Sequence, residues 1–218
     1  MIGSKAMVFL SKSLYNNNER GRIILMTDLH FDEIFAQQTR STKQNISDET
    51  IDKVRCVSID EFDDEELLLI QQLHKRLLKH SKEKNDSNEV GILVDLIDWS
   101  DILIEGDENS ISMKSSPDAK MKMETAPKNS LLFLHNHPRN TCFSEIDLSS
   151  FLTADPIYLM AVVGNNGRQY FLMKLGDFDK GRALEYYDEL FENAEGSSVK
   201  EFLRTCRKVG LRFIYGGE

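Results

Sequence analysis

The residues in this chain best placed to do chemistry are two histidines separated by a single position. They lie in the stretch LLFLHNHPRNTCFSEID, residues 131–147, as His135 and His137. Side chains on a strand alternate between faces, so both imidazoles project from the same face, close enough to share one ion. Asp147 falls in the first turn of a helix opened by Ser144, where the helix dipole favours a carboxylate. The six residues Pro138 to Phe143 can swing that turn back beneath the strand end. Two imidazoles and one carboxylate suit zinc (Zn2+) and leave the fourth tetrahedral position open for water, which distinguishes catalytic from structural zinc. A water held there has its pKa lowered to about 7. Hydrolysis also needs a proton acceptor, and Glu89, Glu105, Glu108 and Glu124 lie upstream. Glu89 is the first choice because it opens an apolar run that can fix it rigidly. Glu105 ends another strand and is the second, while Glu108 and Glu124 read as solvated.

The elements that must position these groups follow from hydrophobic period and punctuation. Asp63 and Glu66 form a capping-box signature, and Leu67, Ile70, Leu73, Leu77 and Leu78 recur at helical spacing, which predicts a helix to about Lys82. On it, His74 and His80 read as surface residues. Val90 to Ile97 reads as a β-branched strand with a partner near Ile102 to Glu105, and Trp99 as a turn residue between them. Gly106 to Asn129 is a long polar connection, with Pro117 and Pro127 bracketing a short helix. Leu131 to His135 is a compact strand that Pro138 stops, because proline offers no ladder donor. Ile157 to Val163 and Gln169 to Lys174 are strands joined through Gly164-Asn165-Asn166-Gly167, a hairpin signal. Two helices close the chain, one with Leu184, Tyr187, Leu190, Phe191 and Ala194 on its inner face. The other carries Val199, Phe202, Leu203, Cys206 and Val209 and stops at Gly210. The pattern predicts an α/β (α+β) fold around a mixed sheet flanked by helices.

Composition narrows the function classes. The chain has 218 residues, 40% of them apolar, enough to bury a core. A net charge of −9 has the wrong sign for a protein whose main contacts are phosphates, so a nucleic-acid partner is disfavoured. No apolar run approaches a bilayer span and the opening stretch does not read as a secretory signal, so no membrane association and a cytoplasmic location are expected. Cys56, Cys142 and Cys206 are widely spaced and include no Cys-x-x-Cys pair, which fits a reducing compartment rather than a disulfide framework.

The distal glutamate, His-x-His and Ser-x-x-Asp together resemble the JAMM, or MPN-plus (JAB-domain), zinc metallopeptidase family. Here the elements are Glu89, 46 residues before His135, then His135 and His137, then Ser144 to Asp147. The His-Asn-His-Pro form is similar to the bacterial and phage-type subgroup, which it shares with RadC-like proteins. Six residues separate His137 from Ser144, where the commonest form of the pattern has seven. The resemblance covers roughly Asp63 to Tyr215. It implies a JAMM/cytidine-deaminase-like architecture and a peptidase or isopeptidase acting on a protein or peptide, with a ubiquitin-like conjugate among the candidates. His135, His137 and Asp147 would then bind zinc, Glu89 would move the proton, and Ser144 would donate to the oxyanion. Ser-x-x-Asp is also a helix-capping pattern, which competes for the Ser144 hydroxyl.

The sequence therefore predicts an extension over residues 1–60 and a JAMM-like domain over 61–218. A non-catalytic JAMM-like scaffold that binds a partner is the alternative, and a RadC-like DNA-associated role is weaker because no basic stripe accompanies the motif. Asp28, His30 and Asp32 imitate a ligand cluster, but no neighbour completes a shell. Cys142 has no base beside it and reads as packing. Met113, Met121 and Met123 either line an adaptable surface or pin the polar connection to the core. The sequence carries no signal for oligomeric state.

Overall fold

The computed structural model describes Phe35, residues 42–192 and residues 198–216. Met7 to Leu10, Ile23 to Met26, the cluster Asp28, His30 and Asp32, Ala194 and the closing Gly217-Glu218 lie outside the described residues. Six strands form one mixed sheet in the order β2-β1-β3-β4-β5-β6. They are β1 Val90–Asp95, β2 Asp101–Glu105, β3 Leu131–His137, β4 Ile157–Gly164, β5 Gln169–Lys174 and β6 Leu211–Tyr215. The central pair β3 and β4 is parallel, and the other neighbouring strands are antiparallel. The helices are α1 Asp48–Lys53, α2 Asp64–Lys84, α3 Pro117–Thr125, α4 Glu145–Thr153, α5 Lys180–Glu192 and α6 Ser198–Thr205. None among the described residues is long and apolar enough to cross a membrane.

Alternation along β3 divides the core in two. Leu132 and Leu134 face a layer made by α1 and α2, with Leu67, Ile70, Leu73, Leu77 and Leu78 buried against Ile92, Val94 and Phe171. Leu131 and Phe133 face the opposite layer, where Leu148, Phe151 and Leu152 of α4 pack with Phe202 and Leu203 of α6. A strand covered on both faces reads as a continuous apolar run, which is what Leu131 to Leu134 is. Burying one such leucine side chain stabilises the fold by roughly 1.5–3 kcal/mol.

Asp63 caps α2 through the backbone N–H groups of Glu65 and Glu66, and Glu66 returns a bond to the Asp63 N–H, as the capping pattern predicts. Several boundaries differ from expectation. β1 ends at Asp95 rather than Ile97, because Asp95 accepts the Trp99 N–H and the chain turns through Trp99 at φ 60°. β3 continues past His135 to His137, held there by parallel pairing with Val163 and Gly164 of β4. β6 follows Gly210, whose φ of 75° turns the chain back to pair with β5. Residues 42–60, assigned by sequence to an extension, contribute Ile46, Val54 and Ile59 to the core beneath α2. His74 is fully buried, contrary to its reading as a surface residue, with its ring edge-on to Phe171 at 5.6 Å.

Candidate metal centre

Strand direction brings the site together. β1 runs antiparallel to β3 with Gly91 opposite His135, so the start of β1 lies beside the carboxyl end of β3. Glu89 immediately precedes β1, and His135 and His137 close β3. The chain then leaves β3 through a turn in which Asn140, at φ 58°, donates its N–H to the His137 carbonyl at 3.0 Å. Helix α4 starts beneath the strand end and carries Asp147 in its first turn. The six-residue connection thus suffices to bring the carboxylate under both rings.

The three side chains converge. His135 Nε2 and His137 Nε2 are 3.1 Å apart. Asp147 Oδ1 lies 3.2 Å from His135 Nε2 and Asp147 Oδ2 lies 3.3 Å from His137 Nε2. A tetrahedral cation with bonds of about 2.0–2.1 Å separates its ligands by about 3.3–3.4 Å, so these spacings are close to those of three corners of one such shell. The group could hold a metal ion. His137 Nδ1 contacts the Thr141 carbonyl at 3.0 Å and its hydroxyl at 2.9 Å. With Nδ1 as donor to that carbonyl, Nε2 is left as a bare acceptor facing the cluster. His135 is stacked on Phe133 with ring centroids 5.1 Å apart, and its buried Nδ1 has no hydrogen-bond partner among the described residues. Gly91 makes room for that stack: a Cβ there would lie 2.8 Å from the Phe133 ring.

Ser144 is committed to Asp147. Its hydroxyl accepts the Asp147 N–H at 3.1 Å and donates to Asp147 Oδ2 at 2.7 Å, while its own N–H donates to the same oxygen at 2.7 Å. The capping pattern is therefore realised, and it aims the carboxylate at the histidines.

Electrostatics follow from burial. Burial works against a charge on Asp147, yet the two imidazoles outweigh it and hold the carboxyl well below its usual range. Burial lowers the His135 pKa, whereas at His137 the Asp147 hydrogen bond and charge overcome burial and raise it. Glu89 is buried, which pushes its carboxyl up to about 7. Its main chain is fixed by the Asp107 carbonyl at 2.8 Å and by the Gly106 N–H at 2.9 Å.

These groups share one cleft of about 430 Å³, lined on its polar side by Glu89, His135, His137, Arg139, Ser144 and Asp147. Ile111, Met113, Met123, Phe133 and Met160 line its apolar side. Met113 and Met123 thus both line the cleft and pack on the core, while Met121 is exposed. Glu105, the second candidate for proton acceptor, is turned away: its carboxylate meets His80 Nε2 of α2 at 2.6 Å. Glu108 does reach the cleft, but paired with Arg139 at 2.8 Å, and Glu124 is exposed beside Lys120. Cys142 is fully buried, which drives its thiol pKa well above normal and removes it as a nucleophile. Thr141, Arg139 and Asn136 were not singled out by sequence. Asn136 carried a signal, being an uncharged polar residue set between the two histidines at the end of an otherwise apolar strand.

No protein-family model matches the chain, and comparison with curated proteins and with solved structures likewise yields no match.

Proposed function

We propose that this chain is a zinc-dependent metallopeptidase of the JAMM type, hydrolysing a peptide or isopeptide bond, and that its mixed sheet with flanking helices is a JAMM-like architecture. The observation that carries the reading is the convergence, in one cleft, of His135, His137 and Asp147 with Glu89, a buried glutamate just before β1. His135 Nε2, His137 Nε2 and an Asp147 oxygen would hold the ion. Zinc bound there supplies an acidified water and polarises the scissile carbonyl.

The remaining chemistry belongs to the chain. Glu89, desolvated in the cleft beside the cluster, is placed both to accept a proton from water and to return it to a departing amine. Such general acid–base help contributes about 10²–10⁴ in rate. Ser144 holds Asp147 toward the rings, and by turning its hydroxyl proton into the cleft it can also donate to a developing oxyanion. Ile111, Met113, Met123, Phe133 and Met160 keep the apolar side dry, and the thioethers adapt to different substrate side chains. A protein or peptide segment, including the tail of a ubiquitin-like conjugate, fits such a cleft when extended, and an extended segment can add to a sheet edge such as β2.

The test is metal content joined to cleavage. Wild type should carry close to one zinc per chain by plasma mass spectrometry, and His137→Ala close to none. Zinc-loaded wild type should cleave members of a mixed peptide library or isopeptide-linked peptide pairs, and Glu89→Gln should keep its zinc and lose most of that turnover. Zinc absent from both proteins, or full activity in Glu89→Gln, overturns the assignment.

A further inference from the structure

Asn136 lies between the two histidines and, by the alternation of the strand, points to the opposite face. It is fully buried, and burial costs a polar group its hydration unless its bonds are made. Both ends of the amide are bonded. Oδ1 accepts the Val90 N–H at 2.7 Å. Nδ2 donates to Asn165 Oδ1 at 2.8 Å and to the Asn88 carbonyl at 3.1 Å, and lies 3.4 Å from Ser81 Oγ.

Asn88 and Val90 are the residues on either side of Glu89. The ladder between β1 and β3 reaches only as far as Gly91 opposite His135, so regular pairing with the histidine strand stops before Glu89. The main chain of Glu89 is bonded instead to Asp107 and Gly106, beyond the end of β2. The amide of Asn136 therefore extends the β1–β3 connection past its last backbone pair. Its partners brace it in turn: Asn165 Nδ2 donates to the carbonyls of Ser87 at 2.9 Å and Gln44 at 2.7 Å, and Ser81 Oγ donates to Asn88 at 2.6 Å.

We propose that Asn136 is a positioning residue, clamping the chain on both sides of Glu89 to the strand that carries His135 and His137 and so setting the reach from proton acceptor to ligand pair. The inference rests on the metallopeptidase reading. A simpler role, satisfying buried carbonyls to keep the fold together, would cost stability alone when lost.

A double-mutant cycle separates the two, using zinc-loaded protein and whichever member of the mixed peptide library wild type cleaves. Asn136→Ala should retain full zinc and lower kcat about 10- to 100-fold with KM within about twofold, the effect expected of a small displacement of a reacting group. In the Glu89→Gln background the same substitution should lower kcat no further, because the group it positions is already gone. An equal fold-loss in both backgrounds, or an unchanged kcat in Asn136→Ala, overturns the proposal. If Asn136→Ala yields no folded protein, Asn165→Ala is carried through the same cycle and judged by the same criterion, with a smaller loss of about three- to tenfold expected. A wild type that binds zinc poorly and cleaves nothing removes the metallopeptidase reading and this role with it.

Discussion

His135 Nε2 and His137 Nε2 face each other at 3.1 Å inside the fold, with Asp147 beneath both rings. Two bare lone pairs at that distance would repel, so a proton or a cation has to lie among the two rings and the Asp147 carboxylate. The strand pleat supplies the approach, and the capped first turn of α4 supplies the counter-charge.

Metal binding to that cluster should appear as stability. A ligand that binds only the folded chain adds about 2.7 kcal/mol at a hundredfold excess over its Kd. For a chain of this size that raises Tm by roughly 5–10 °C, at about 2–4 °C per kcal/mol. Scanning calorimetry of metal-free protein with and without zinc should show this rise in wild type and none in His137→Ala or Asp147→Ala. Equal rises in all three proteins would place the ion elsewhere.

Ser144 gives a second prediction because its hydroxyl serves Asp147 twice. Ser144→Ala should lose a helix cap, about 1 kcal/mol. It should also weaken zinc about 10- to 100-fold through the freed carboxylate. At saturating zinc the variant should still show kcat lowered by about 10²–10³ if the hydroxyl also meets the oxyanion. Recovery of wild-type kcat at saturating zinc would confine Ser144 to orienting Asp147.

Glu89 predicts a pH effect on the metal-free protein. Its pKa is 4.5 in the unfolded chain and about 7 in the fold, so the folded state binds the proton more tightly. That contribution is complete below pH 4.5 and is lost as pH rises through 7, roughly 3 kcal/mol at most. Urea unfolding of metal-free wild type and Glu89→Gln from pH 4.5 to 8 should show the wild type losing stability relative to the variant. Parallel curves would mean that burial does not hold this proton.

The convergence of His135, His137 and Asp147 was legible because period-two alternation and a helix cap are local rules, and these residues and the capping Ser144 obey them. Which of Glu89 and Glu105 faces the cluster was not legible. Both flank strands, and only the β1–β2 register and the His80 contact show that Glu105 faces α2. β6 escaped notice because Leu211–Tyr215 is short, edge-lying and only half-buried beyond its first residue. His74 was misread although it stands four residues from both Ile70 and Leu78, inside the apolar stripe of α2. Helical position, not polar identity, sets its burial.

That burial makes His74 the source of an acid-side prediction. Neither ring nitrogen makes a hydrogen bond of good geometry among the described residues. Gln169, the nearby group that favours the charged ring, gives its amide N–H to the Arg55 carbonyl at 2.9 Å. Burial lowers the pKa to about 3, and the His135 imidazole adds a smaller push in the same direction. The unfolded chain takes up a proton near pH 6.5 that the folded chain refuses, so stability is intact above 6.5 and falls as pH drops toward 3. The slope approaches 1.4 kcal/mol per pH unit. This sign is opposite to that of Glu89, so the effect is read as a difference between proteins. His74→Leu should remove the slope between pH 6 and 4, and should stabilise the fold at pH 7.5 by about 1–3 kcal/mol because two unpaired nitrogens leave the core. Urea unfolding of both proteins at pH 4.5 and 7.5 measures it, and an identical acid loss in His74→Leu would assign that loss to the Asp147 cluster instead.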